Sequence, residues 1–138
     1  MNDWDRHLGL RMLRSDADGV VAEFDVDERH HQPYGIVHGG VWCSVVETVC
    51  SMGAGMDAHR RGCGVVGLEN HTSFVRAVRD GRITVTGTPI TRGRRVQLWE
   101  AVARDAEQRI VATGRVRLLC IESGRPLAGQ DLEPTVEE

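Results

Sequence analysis

The sequence predicts an α+β domain in which one long helix is wrapped by an antiparallel β-sheet. Three observations carry that expectation. The run "VWCSVVETVCSMGAGMDAHR" sets Val41, Val45, Val49, Met52 and Met56 at helical spacing. Four strand-like segments follow it: "GVVGLENHTSFVRAV", "GRITVTGTPITR", "VQLWEAVARD" and "RIVATGRVRLLCI". Their junctions "RDGR", "TRGR" and "DAEQ" are short, so three of the four long strands should follow each other as an antiparallel meander.

Ahead of the helix, "LGLRMLRSDADGVVAEFDVDE" reads as two short strands around the turn "SDADG". Within it Val21, Glu23 and Asp25 alternate with Val20, Ala22, Phe24 and Val26, a period of two. The next stretch, "RHHQPYGIVHGG", holds a proline and three glycines and is expected to be an irregular loop. The helix itself is rich in β-branched valine, which lowers its intrinsic propensity, so burial has to hold it together. From Glu122 onward "ESGRPLAGQDLEPTVEE" is polar and acidic. The expectation is one domain over 1–122 and a disordered tail over 123–138. One helix covers only part of such a sheet, so the domain is expected to complete itself by dimerising through edge strands.

A chain of 138 residues suits a single core. Hydrophobic residues at 41% and charged residues at 27% are ordinary for a globular protein, and a net charge of −3 gives nucleic acid no electrostatic invitation. No stretch approaches the roughly 20 apolar residues of a membrane helix. The start "MNDWDRHLG" lacks the apolar core of a secretory signal, which leads to a cytoplasmic expectation. Cys43 and Cys50 are separated by about 10.5 Å if helical, too far for a disulfide, and with Cys63 and Cys120 they read as reduced thiols. Every basic side chain of the Lys/Arg class is arginine, so any phosphate contact falls to guanidinium groups.

The chemistry centres on Glu47, a carboxylate midway along an apolar helix. Gly40, Ser44, Glu47 and Ser51 stack on one side of that helix, and the small neighbours leave space beside the carboxylate. Just before it lies His38-Gly39-Gly40, whose glycines let a ligand approach the backbone. The first N–H groups of a helix have no internal partners and mark its positive end. Oxyanion donors together with a carboxylate make an acyl-transfer constellation. The bland reading is a solvated helix glutamate, which Val45, Val46 and Val49 around it make uncomfortable. His30, His31 and His38 do not form a metal motif, and no metal is expected. Ser44 and Ser51 lack the GxSxG elbow of a serine nucleophile. Arg92, Arg94 and Arg95 at "TRGRR" read either as a solvated edge or as a phosphate-binding turn.

The segment "HQPYGIVHGGVWCSVVETVCSM" resembles the active-site region of hotdog-fold acyl-CoA thioesterases, nearest the phenylacetate-degradation and Arthrobacter-type 4-hydroxybenzoyl-CoA branch. "VVGLENHTSFVRAVRDGRITVTGTPITRGRRVQLWE" resembles that family's second half, so the similarity spans roughly residues 8 to 121. The resemblance implies Glu47 as the catalytic carboxylate, acting as nucleophile or as base for water, on a small aromatic or medium-chain acyl-CoA. It implies that the Gly39 N–H polarises the thioester carbonyl, that Gln32 and His38 orient the reacting groups, and that Ser51 positions water or the carboxylate. Gly40, Arg94 and Arg95 become candidate coenzyme A contacts. Sites shared across a homodimer, with dimers pairing into tetramers, and no cofactor complete the implication. Phe74 and Val75 stand where several relatives carry a histidine pair, which implies a different or more lipophilic acyl group. His71 is displaced from that pair and takes no role. Two rivals remain: a hydratase or dehydratase on the same fold, and a non-catalytic acyl-CoA-binding protein.

Overall fold

The computed structural model describes residues 1–133. A short helix α1 (Asp3–Leu8) leads into β1 (Arg11–Asp16) and β2 (Gly19–Val26), and the long helix α2 (Gly39–Arg60) follows. Then come β3 (Cys63–Phe74), β4 (Gly81–Arg92), β5 (Val96–Arg104) and β6 (Ile110–Glu122), with a small hairpin of β7 (Pro126–Leu127) and β8 (Gln130–Asp131). The large sheet is antiparallel throughout in the order β1-β2-β4-β5-β6-β3. This is the hotdog architecture, with α2 lying along the sheet. The β4–β5–β6 meander matches the expectation from the short junctions. No helix among the described residues is long and apolar enough to cross a membrane.

Packing explains why α2 forms despite its valines. Val45, Val46 and Val49 are fully buried against the sheet, worth roughly 1.5–3 kcal/mol each, against a propensity cost of at most about 0.7 kcal/mol per residue. The expected apolar stripe needs one correction. Met52 is only partly buried and Met56 is exposed, while Gly53, Ala54 and Ala58 take the sheet-facing positions. The reason is proximity: the Trp99 ring lies against Gly53 where a side chain would begin. Gly114 on β6 makes the same concession farther along, since a Cβ there would stand 2.8 Å from Val46 Cγ1. A polar chain running from the core to the surface fastens the helix end. Trp99 Nε1 donates to Gln97 Oε1 (2.8 Å), Gln97 Nε2 donates to Asp57 Oδ2 (3.1 Å), and Arg61 Nη2 donates to the same oxygen (2.9 Å).

Three other elements depart from the sequence expectation. Helix α1 was not anticipated; Asn2 caps it by accepting the Asp5 N–H (2.9 Å), and Gly9 closes it in the left-handed region (φ 71°). The loop before α2 is more ordered than its glycines suggest, with a 3₁₀ turn at Glu28–His30 and a bridge between His31 and Val37. Buried His30 stabilises that turn, accepting the Asp27 N–H at Nδ1 (3.0 Å), which leaves Nε2 to donate to Leu8 O (2.8 Å). The tail expected to be disordered from residue 123 instead folds back as the β7–β8 hairpin. Leu132 N donates to Arg125 O (2.8 Å), Gly124 N donates to Leu132 O (3.0 Å), and the Leu132 side chain packs on Gly64. Residues 134–138 of that expected tail lie outside the described residues.

Gly53→Ala tests the helix–sheet contact. Propensity alone would favour alanine by up to about 1 kcal/mol, yet overpacking against Trp99 is expected to win, for a net loss of about 1–3 kcal/mol in urea denaturation.

Candidate active site

Glu47 sits in the middle of α2, half-buried, beside the edge strand β3. Its carboxylate is held from that strand. Asn70 Nδ2 donates to Glu47 Oε2 (3.0 Å) and to the Cys43 carbonyl (3.0 Å), so one amide fixes both the carboxylate and the preceding helical turn. Thr72 Oγ1 donates to Asn70 Oδ1 (2.6 Å), which settles the orientation of that amide. The other carboxylate oxygen, Oε1, occupies the space where Gly67 would carry a Cβ.

Gly67 and Asn70 are three apart and should face opposite ways on a regular strand. They both face α2 because β3 is bulged. Gly67 pairs with Leu118 and Glu69 with Arg117, which leaves Leu68 as the extra residue. Up to Gly67 the odd-numbered residues meet the helix; beyond the bulge Asn70 and Phe74 do. Sequence reasoning passed over Gly67, Asn70 and Thr72 for this reason. Asn70 and Thr72 are spaced two apart, but Glu69, His71 and Ser73 around them are polar as well, so nothing in the sequence marks the pair out.

The residues expected to act with Glu47 are distributed as follows. Gly39 is the first residue of α2, and its N–H has no partner among the described residues. The Phe74 ring covers Gly39 where a side chain would begin. The neighbouring N–H of Gly40 is already used, donating to His38 Nδ1 (2.8 Å), so His38 serves as the helix N-cap. Gln32 Oε1 accepts the Tyr34 N–H within its own turn. Neither His38 nor Gln32 bonds Glu47 within the chain. Gly39 and Glu47 are also apart: eight residues of helix correspond to about 12 Å, and the lean of the carboxylate toward Cys43 recovers only part of it. Ser51 follows Glu47 by one turn and shares with it a cleft of about 540 Å³ between α2 and the start of β3. Ser44 Oγ is occupied on the Gly40 carbonyl (2.8 Å).

The arginine turn divides. Arg92 pairs with Asp18 (2.8 Å), whereas Arg94 and Arg95 are exposed with no ion pair among the described residues. The turn sits at the far end of α2 from Gly39, where Arg61 donates to the Arg94 carbonyl (3.4 Å). Cys50, buried beside Glu47, does not compete as a nucleophile. Burial, with the negative charges of Glu47 and Glu100, pushes its thiol well above the ordinary range. The histidines weighed as metal ligands are engaged by backbone: His30 and His38 as above, and His31 Nε2 on the Arg79 carbonyl (2.7 Å).

A carboxylate clamped in a cleft, on a helix whose first N–H has no partner among the described residues, within the hotdog architecture, fits a thioester hydrolase, the class that the chain's family and relatives show. The chain belongs to the Thioesterase superfamily, whose family model matches residues 34–112. It is similar to the Mycobacterium tuberculosis protein Rv1847, at 41% identity over 122 residues and 87% of each chain. The structure of that protein superposes with a TM-score of 0.87, covering 91% of this chain and 100% of that one. The proofreading thioesterase EntH of Cronobacter turicensis is 40% identical over 110 residues, 80% of each chain. Thioesterase HI1161 of Haemophilus influenzae superposes with a TM-score of 0.82 at 34% identity, over 88% of this chain and 84% of that one.

Gly67→Ala should separate stability from catalysis. The displaced atom is the free end of a flexible side chain, so the melting temperature should stay within a few degrees. A misplaced carboxylate is expected to lower thioester kcat/KM by about a hundredfold. Asn70→Leu should act in the same direction by freeing the carboxylate, and an unchanged kcat/KM in both variants would remove the clamp from the mechanism.

Proposed function

We propose that this thioester hydrolase cleaves acyl-CoA substrates carrying a small aromatic or medium-chain acyl group, in the cytoplasm, and works as a dimer or a dimer of dimers. The observation that carries the reading is the clamped Glu47 carboxylate opening onto a cleft, with Asn70 and Gly67 fixing where its oxygens lie. Glu47 attacks the thioester carbonyl or takes a proton from the water that does. The C–S bond breaks and the thiolate of coenzyme A accepts a proton; where water attacks, the acyl group leaves directly as the free acid, and where Glu47 attacks, a water then hydrolyses the acyl–Glu47 anhydride to the acid and the free carboxylate. A backbone N–H aimed at the developing oxyanion contributes roughly 3 kcal/mol. A thioester is already activated, so these two groups suffice.

The separation of Gly39 from Glu47 within one chain supports a site built from two copies. The carboxylate of one then faces the Gly39 N–H of the other, with Gln32 and His38 arriving alongside the donor and Ser51 beside the carboxylate. β3 supports this arrangement too. It is a twelve-residue strand at the sheet edge with Leu68 and Phe74 more than half exposed, a liability in a free monomer. Arg94 and Arg95, free of ion pairs among the described residues, would receive the phosphates of coenzyme A. The resemblance to the Arthrobacter-type branch supports the glutamate mechanism.

Free thiol release from a panel of aromatic and straight-chain acyl-CoAs is the direct test. Glu47→Gln is expected to cut kcat/KM by about 10²–10⁴-fold without loss of fold. Equal rates in the two proteins would make Glu47 a structural carboxylate. The shared site has its own test in Gly39→Pro. Proline is tolerated at the first position of a helix and removes only the N–H in question, while the exposed Phe74 ring can yield. Each variant alone should be nearly inactive, and a refolded mixture of the two should regain activity through mixed dimers. No recovery in verified mixed dimers would place both groups of a site on one chain.

A further inference from the structure

The cleft beside Glu47 extends well past the carboxylate. Along α2 it is lined by Glu47, Ser51 and Gly55, one turn apart each, with Met52 on the adjoining ridge and Val65 of β3 opposite. From Glu47 to Gly55 this is about 12 Å of helix. The floor is open because Gly55 has no side chain: a Cβ there would meet nothing nearer than Val65 Cγ2, at 3.8 Å. Leu132 lines the far end, entering from the C-terminal hairpin and packing on Gly64 on the side of β3 turned from Val65, where a Cβ would stand 2.8 Å from Leu132 Cδ2. Backbone bonds on both sides of the hairpin hold the leucine there, and Ser123 pins its base by donating to the Gly62 carbonyl (N 3.2 Å, Oγ 2.9 Å). A polar tail segment has thus placed one leucine at the end of a groove that starts at Glu47, with Met52, Met56 and Val65 as its apolar lining and Asp5, His59 and Glu133 also lining it.

We infer that the C-terminal hairpin is the end wall of the acyl site, that Leu132 limits the length of the acyl group, and that the preferred substrate carries an elongated, largely apolar acyl chain running from Glu47 past Ser51 to Gly55. This rests on the hydrolase reading for the identity of the ligand, while the wall itself can be tested without catalysis. The chemistry is simple: an apolar chain gains from each methylene placed against Met52, Gly55 and Val65, and loses once it meets Leu132.

The experiment uses the full chain and two readouts. Hydrolysis is measured for straight-chain acyl-CoAs from butanoyl to palmitoyl. Binding is measured by calorimetry for S-alkyl-CoA thioethers of the same lengths, which cannot be hydrolysed. Wild type should show a length beyond which both kcat/KM and affinity fall. Leu132→Ala should move that ceiling to longer chains, improving the first disfavoured length by about tenfold relative to the preferred one. Gly55→Ala, which fits without a clash, should act oppositely and weaken the longer thioethers several-fold. Leu127→Ala, a change in the same hairpin outside the cleft, should leave the profile unmoved and so controls for loosening of the hairpin.

An unchanged length profile in Leu132→Ala would overturn the wall while leaving the hydrolase intact. So would a parallel shift in Leu127→Ala. A shifted thioether profile without hydrolysis by wild type would support the wall and overturn the hydrolase reading. Failure of wild type to bind any thioether would overturn both.

Discussion

The contact between α2 and the strands beside it is the constraint on which everything else depends. A helix carrying this many valines has little reason to exist in water, and it forms because three of them are wholly buried against the sheet. That burial also fixes the rotation of the helix. Once Val45, Val46 and Val49 face the sheet, Glu47 and Ser51 must turn aside toward β3 and the cleft. The position of the carboxylate is therefore a by-product of core packing, and its final placement needs only Asn70 and the vacant side-chain position of Gly67.

The closeness of that packing explains the distribution of small residues. Gly53 and Gly114 admit bulky neighbours, Trp99 and Val46, and each lets backbone approach where a methyl group would not fit. Gly67 makes the same concession to a functional atom. The same residue type thus serves the core at two places and the site at a third, and only the identity of the neighbour distinguishes the roles.

Much of the fold was legible because it is periodic. The 3.6-residue spacing of α2, the period of two in β2 and the short turns between the last strands each leave a local trace. What escaped lacks such a trace. Helix α1 has six residues and buries only Asp5 and Leu8, too few to show a period. The tail is polar in composition, and its order comes from backbone hydrogen bonds, the Ser123 hydroxyl on the Gly62 carbonyl and the packing of Leu132, none of which composition registers. In the site, Glu47 stood out as a charge in an apolar run, and the free N–H of Gly39 follows from helix geometry alone. Asn70 and Gly67 were invisible because the extra residue at Leu68 reverses the facing of the strand, and a bulge leaves no composition signal. Gln32 and His38 matched a family pattern, and within the chain their side chains are engaged by their own turns.

That last point bears on how such a site is assembled. A helix presents its free N–H groups at its start and a mid-helix carboxylate two turns later, both rigidly attached to one axis. No side-chain rotation closes a gap of that size, and moving the glutamate nearer to the N-terminus would take it away from Asn70 and the cleft. On the proposed function, the two requirements conflict within one chain and are reconciled between two: a second copy running the other way brings its helix start to the first copy's carboxylate. The bulge in β3 then has a double consequence. It turns Asn70 inward to hold the carboxylate, and it leaves Leu68 and the outer edge of the strand turned toward whatever pairs there. On that proposal, holding the Glu47 carboxylate and offering an edge to a second copy follow from the same extra residue, so a change that regularised the strand should damage assembly and chemistry together.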